Sequence, residues 1–233
     1  MFDIVAGRLN DLPFEIRHEL GAYRHEVFVR RLGWSLPSAK ENTTVEWDRF
    51  DDGDTVQIVA LDLQRQICGS ARLISTVGPY LLQDLLPSSV ALALPTSPTV
   101  WELSRFAASI THGPTANATS GMQLFPYVLA IATALGATRI IGVVTRAIAR
   151  LYRRFGLDLH SIGPDHGTSE FPFIVCTIEL TSLTFAELGD HPNKLLNTIM
   201  WFGSRASKTP PGMRSDSNAT VLPSALHDSR FTV

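Results

Sequence analysis

The 233-residue chain has only two cysteines, Cys68 and Cys176, far apart and without Cys-x-x-Cys or Cys/His ligand spacing. That pattern argues against a structural zinc site and a disulfide framework, and it fits a reducing compartment. A strong charge of either sign is also missing. Twenty Lys and Arg stand against 22 Asp and Glu, leaving a formal net charge of -2. Bulk nucleic-acid binding needs a basic excess, so recognition by charge has to be local. No apolar run approaches the roughly 20 residues that span a bilayer. The opening residues MFDIVAGRLNDLP lack the basic start and apolar stretch of a secretory leader. The expectation is a cytoplasmic protein, with neither membrane nor nucleic acid as partner.

What is present reads as an ordinary globular chain, 45% hydrophobic and 18% charged. One domain is expected over 1–202, followed by a flexible tail at 203–233, where Ser, Pro, Asn and Asp dominate. A short strand falls within residues 1–10, and Asp11 with Pro13 marks the start of a helix reaching about Leu32. After a loop at 33–44 and the Asp52-Gly53 turn, TVQIVALDL and ICGSARLIST read as two strands. A Pro- and Leu-rich connection at 77–99 leads to the strand VWELSRFAAS. A helix at Met122–Leu135 follows, with Pro126 in its first turn or at a kink. TRIIGVVT is a strand, RAIARLYRRFG a helix ended by Gly156, FPFIVCTIEL a last strand, and Pro192–Phe202 a helix. Strands first, then alternation with helices, predict an α/β (α+β) sheet with helices packed on it.

Glu46–Asp54, EWDRFDDGD, holds five carboxylates in nine residues. A calcium loop of the EF-hand type would need an acid at the third position and Glu at the twelfth. Counted from Asp48 those positions are Phe50 and Val59, and no histidine stands at ligand spacing, so no metal is expected. A solvated acidic loop is the plain alternative. Against it, Trp47 and Phe50 interleave with the acids, and a single turn would aim Asp48 and Asp51 the same way.

Arginines supply the complement. Arg24 and Phe28 stand four apart in the first helix, with Trp34 just beyond. Arg72 and Arg105 sit among apolar strand neighbours, where a guanidinium needs a partner or an anion. Glu102 is the obvious partner, although a regular strand puts Glu102 and Arg105 on opposite faces. Only a bulge would bring them together, and a structural ion pair is a rival to a functional role. Arg146, Arg150, Arg153 and Arg154 fall within about 100° of one helix face, opposite Ile148, Leu151 and Phe155. In a chain this neutral, such a basic stripe suits an acidic partner, and a solvated face is the alternative.

Taken together, YRHEVFVRRLGW, EWDRFD, GSARLI with GPYLL, and WELSRFA resemble the LuxI-type acyl-homoserine lactone synthases over most of residues 1–180. The resemblance implies a GNAT-like three-layer fold: a twisted mixed sheet flanked by helices, with a cleft for an acyl-phosphopantetheine arm. It also implies transfer of an acyl group from an acyl carrier protein, or acyl-CoA, to the amine of S-adenosylmethionine. Lactone closure then releases methylthioadenosine. Both small molecules are substrates, so no cofactor is implied, and a monomer is expected. The implied signature is Arg24, Phe28, Trp34, Glu46, Asp48, Asp51, Arg72, Glu102 and Arg105. In that scheme Asp48 and Asp51 orient the ammonium, Phe28 and Trp34 face the sulfonium, and Arg24 or Arg105 grips the carboxylate. Glu102 is the implied general base. Met122, Leu124, Phe125, Val143 and Thr145 are expected along the acyl chain, and the basic stripe is expected to dock the carrier.

Two other readings stay open on sequence alone. A GNAT-type acyltransferase using acetyl-CoA would explain RAIARLYRRFGLDL, but its Gly-rich pyrophosphate loop (Q/R-x-x-G-x-G/A) is absent. A carrier-binding module without catalysis would share the scaffold but leave Glu102 and both strand arginines unexplained.

Overall fold

The apolar runs Val56–Leu61 (β2) and Ile67–Ser75 (β3) form an antiparallel pair at the centre of one eight-stranded sheet. A computed structural model describes residues 2–34, 43–86, 94–109, 121–163 and 173–205. Around the central pair lie β1 (Asp3–Arg8), β4 (Val100–Ala108), β5 (Arg139–Val144), β6 (Leu159–Ser161), β7 (Ile174–Glu179) and β8 (Ile199–Phe202). The strand order is β6-β7-β5-β4-β3-β2-β1-β8, with β1–β8 and β4–β5 parallel and the other pairs antiparallel.

Period-two alternation sorts the strand side chains into two layers. Ile4, Ala6, Val56, Ile58, Ala60, Ala71 and Leu73 face the larger core, beneath α3 (Gly121–Ala134), α4 (Arg146–Arg154), α5 (Ser182–Glu187) and α6 (Pro192–Leu196). Val5, Val59 and Leu61 face α1 (Phe14–Arg24) together with Leu12 and Leu20. Ile74, Val100, Ile141 and Val175 meet Phe50 and the residues of α2 (Leu81–Leu85) on that same side. Helices on both faces of a mixed sheet make the three layers that the family resemblance implied.

Two irregularities in β4 matter for function. First, β4 pairs with β5 only through Val100–Glu102. Beyond Glu102, β4 keeps β3 and β5 keeps β7, so the sheet opens into a cleft at that residue. Second, Arg72 pairs with Ser104 and Ser70 with Ala107, so Arg105 and Phe106 together stand opposite Ala71. This is a β-bulge, and Arg105 has φ 49°, which a side-chain-bearing residue seldom adopts.

Several sequence expectations are corrected. Pro13, not Asp11, occupies the N-cap position of α1, and Asp11 ends a short 3-10 turn. The first helix changes at His25 into a π-helical turn reaching Arg31. Pro126 lies inside α3 rather than in its first turn. The connection at 77–99 contains α2, held by the buried Tyr80 and Leu82. α5 and β6 were not foreseen. The helix expected over Pro192–Phe202 stops at Leu196, and Ile199–Phe202 form β8 against β1, as β-branched and aromatic residues favour. Beyond Arg205, the expected tail lies outside the described residues.

Gly203 ends β8 at φ 75°, and a Cβ there would come within 2.2 Å of Asp11 Oδ2. Gly203→Ala is therefore expected to cost about 1–3 kcal/mol in denaturant unfolding. Gly53→Ala, at a turn with nothing within 4 Å of the added carbon, should change stability by under about 0.5 kcal/mol.

Candidate active site

The three expected arginines and three of the expected carboxylates form one network on the α1 side of the sheet. Arg24 donates from Nε to Glu46 at 2.6 Å, and from Nη1 and Nη2 to Asp51 at 2.7 and 2.9 Å. Arg72 grips Asp48 with both terminal nitrogens, at 2.6 and 2.9 Å, and its Nε donates to Ser104 Oγ at 3.0 Å. Arg105 donates from Nη2 to Glu46 and to Asp48, both at 2.9 Å. Arg72 also lies 3.1 Å from Asp51. Three positive charges thus meet three negative ones. That balance is needed, because an unpaired ion at this depth would cost several kcal/mol.

Local geometry explains how the chain reaches this arrangement. Arg24, the last residue of α1, and Phe28, four residues on in the π-helical turn, share a helix face and are both buried. The carboxylate loop seats on α1 through the amide of Glu46, which donates to the Gly21 carbonyl at 2.9 Å. Trp47 lies flat over Gly21, where a Cβ would meet the indole at 2.9 Å, and Arg24 stacks 4.8 Å from that ring. Within the loop, Asp48 accepts from the amide of Phe50 and Asp51 accepts from the amide of Asp48. The single turn predicted from their spacing is therefore formed. Asp52 is exposed and accepts from the amides of Asp54 and Thr55, outside the network.

The members differ in access. Arg24, Glu46 and Arg72 are fully buried, and the Asp51 side chain is only 2% exposed. Asp51 also accepts from Gln57 Nε2 at 2.9 Å. Burial works against the Asp51 carboxylate, but Arg24 and Arg72 outweigh it and hold its pKa well below the usual range. Asp48 is more open, at 14%. Arg105 keeps Nη1 without a hydrogen-bond partner among the described residues. Phe28 packs beneath Arg105, 5.6 Å from the guanidinium carbon, and stacks on the partly exposed Trp34 at 5.0 Å. Arg24, by contrast, has all three guanidinium nitrogens engaged.

Glu102 stands apart from this network. The bulge turns the Arg105 side chain toward Arg72 and Asp48, and no Glu102–Arg105 pair forms among the described residues. Glu102 is 2% exposed, its Oε2 has no hydrogen-bond partner among the described residues, and it is the last β4 residue joined to β5. Burial pushes its carboxyl up to about 7, against the opposing effects of Arg72 and the Leu81 and Leu82 amides.

The chain also matches known proteins. The family model described as autoinducer synthase matches residues 13–182. The chain belongs to the autoinducer synthase family. An acyl-homoserine-lactone synthase of Ralstonia solanacearum is 40% identical over 183 residues, which cover 76% of this chain and 89% of that one. One of Pseudomonas aeruginosa is 38% identical over 164 residues, covering 70% and 79%. Among solved structures, TofI, in a ternary complex with an inhibitor and MTA, aligns with TM-score 0.69 and 37% identity over 82% of this chain and 98% of that one. BjaI, at 20% identity and TM-score 0.72, covering 89% and 96%, shares the fold. The protein is thus an acyltransferase of an autoinducer-producing family, with the GNAT-like architecture expected.

Other residues expected for a synthase divide. Met122, Leu124 and Phe125 lie on α3 and are buried in the larger core, with Phe125 edge-on to Phe106 at 5.5 Å. Val143 points to the opposite side, against the cluster of Phe50, Ile74 and Tyr80, and Val144 takes its place beneath the helices. Thr145 is exposed and caps α4, accepting from the Ile148 amide. Arg146, Arg150, Arg153 and Arg154 are all exposed, while Ile148, Leu151 and Phe155 pack inward, as helical spacing predicted. Sequence reasoning missed Gly21 and Gln57. Gln57 alone carried a signal, as a polar residue inside an apolar strand.

Removing Glu46 would leave two buried guanidiniums short of a partner, so Glu46→Ala should destabilise by about 3–5 kcal/mol in urea unfolding. The folded pKa of Asp51 is depressed, so its contribution is present above the unfolded value near 4 and is lost as pH falls through that region. Asp51→Asn should accordingly flatten the acid side of the stability–pH curve.

Proposed function

We propose that the protein is an acyl-homoserine-lactone synthase that joins an acyl group to S-adenosylmethionine and closes the product to a lactone. The observation that carries this reading is the placement of Glu102, Arg105 and Asp48 where β4 leaves β5. Asp48 and Arg105 pair there, Arg105 keeping Nη1 without a partner among the described residues, and Glu102, the last β4 residue joined to β5, faces Asp48. MTA in the TofI complex, read as methylthioadenosine, is the by-product such a reaction releases.

In the first step the neutral amine attacks the thioester carbonyl, the C–N bond forms, the C–S bond breaks, and the thiol leaves. Glu102 takes the proton from the amine, directly or through one water, and the leaving thiolate is protonated. Asp48 orients the ammonium before deprotonation, and Trp34 presents a ring face to the sulfonium, an attraction worth roughly 0.5–2 kcal/mol. Arg105 Nη1 holds the methionyl carboxylate toward the γ-carbon. In the second step that carboxylate forms the C–O bond, the C–S⁺ bond breaks, and the electron pair stays on sulfur as neutral methylthioadenosine. Arg24, Glu46, Asp51 and Arg72 support this set from beneath rather than touching substrate. Met122, Leu124, Phe125 and Val144 border the acyl chain. Both small molecules are substrates, and we assign no resident cofactor.

The acyl donor we favour is an acyl carrier protein, because four exposed arginines on α4 offer an acidic partner a docking face. We read the chain as acting in the cytoplasm, where such carriers are found, and as a monomer.

The test is incubation with S-adenosylmethionine and a panel of acyl-carrier-protein and acyl-CoA donors, followed by mass spectrometry. Lactone with methylthioadenosine is expected. Acylated amine from acetyl-CoA alone, or carrier binding without turnover, would overturn the reading. As a base, Glu102 works ionised, so kcat/KM should rise with pH through about 7. Glu102→Gln should remove that limb and lower kcat by about 10²–10⁴-fold. Because burial raises the folded pKa, ionising Glu102 costs stability as pH rises through 7, so Glu102→Gln should unfold no earlier than wild type at pH 8.

Reversing Arg150 and Arg154 to Glu together should raise KM for the acyl carrier by about 10-fold or more, with KM for S-adenosylmethionine nearly unchanged. Equal effects on both would remove α4 from the docking face.

A further inference from the structure

The backbone of α2 faces the one carboxyl to which we assign proton transfer, yet α2 has only five residues. A helix that short has no stability of its own, so its position depends on its anchors. At the start, Tyr80 is fully buried and its hydroxyl donates to the Pro95 carbonyl at 2.8 Å. Leu82 is also buried, in the cluster that contains Phe50. Near the end of the helix, Asp84 accepts from Arg49 Nη2 at both carboxylate oxygens. Arg49 lies 4.8 Å from the Phe50 ring and directly follows Asp48. The carboxylate loop and α2 are therefore tied twice, by Phe50 underneath and by an ion pair across the surface.

The pair is exposed, 67% at Arg49 and 43% at Asp84, and such pairs contribute little to global stability. Its effect is local. The groups that face Glu102 are Arg72 from β3, Asp48 from the loop, the Tyr80 hydroxyl, and the Leu81 and Leu82 amides of α2. Of these, Asp48 and the two amides belong to the segments that Arg49 and Asp84 join.

We propose that the Arg49–Asp84 pair is a strap that holds α2 against Glu102, which makes both side chains positioning residues for the acyl transfer. With the strap released, α2 moves off, the amides withdraw, and the ionised form of Glu102 loses support. The carboxyl then titrates higher, and less of the enzyme carries a working base at neutral pH. Only the rate arm of the test rests on Glu102 as the base.

The experiment uses the full chain with carboxyl-labelled glutamate, the Glu102 signal being assigned with Glu102→Gln. Arg49→Ala and Asp84→Ala should each raise the Glu102 titration midpoint by about 0.5 or more. The double variant should match either single one rather than their sum. Arg49→Lys, which can still reach Asp84, should keep most of the wild-type value. The acid limb of kcat/KM should move with the carboxyl. An unmoved titration in both single variants, or strictly additive shifts, would overturn the strap. A shifted titration with an unmoved rate profile would support the strap and refute Glu102 as the base.

Discussion

Everything at this site depends on the mutual neutralisation of Arg24, Arg72 and Arg105 by Glu46, Asp48 and Asp51. Six ions are brought beneath the surface, each paired with two of opposite sign, so removing one leaves two others short of a partner and the buried set with an uncompensated charge. The network ties together elements far apart in sequence: α1, the carboxylate loop, β3 and β4. It holds its more accessible members, Asp48 and Arg105, at fixed positions. Preorganised charge of this kind is what a reaction with cationic and anionic partners requires.

The backbone provides for this network at two unusual places. The π-helical turn at His25–Arg31 carries Phe28 under Arg105, and the bulge at Arg105 turns that arginine to the face already held by Arg72 and Ser104. A positive φ on a long side chain costs of order 1–3 kcal/mol and persists only where its surroundings enforce it. Here the enforcement is visible: Glu46 and Asp48 hold the side chain, and Ser70 Oγ donates to the Arg105 carbonyl at 3.0 Å. The same strand departs from β5 just after Glu102, so carboxyl, cleft and bulge occupy the five consecutive residues Glu102–Phe106.

Much of this could be read from the sequence. The central strands, α3 and α4 follow from their periodicity, and the basic face of α4 was fixed by the spacing of its arginines. The charged site residues stood out because Arg and Glu are rare among apolar strand neighbours. What could not be read depends on tertiary contact. The bulge that brings Arg105 to the face of Glu102 has no glycine to announce it, and tertiary contact gives Arg105 to Glu46 and Asp48 rather than to Glu102. Val143 and Val144 differ only in which face the strand register gives them. β8 reads as helix in the sequence because its four residues become a strand only against β1. Gly21 matters through Trp47, 26 positions later in the chain, which no local pattern encodes.

The division of the network into a buried support and an accessible rim can be tested directly by nitrogen-15 NMR of the arginine Nε–H groups, with and without saturating S-adenosylmethionine. The resonances of Arg24 and Arg72 should be sharp and protected and should stay in place, while that of Arg105 shifts. A shift of Arg24 as large as that of Arg105 would contradict the account, because it would show that the buried arginine reaches the substrate.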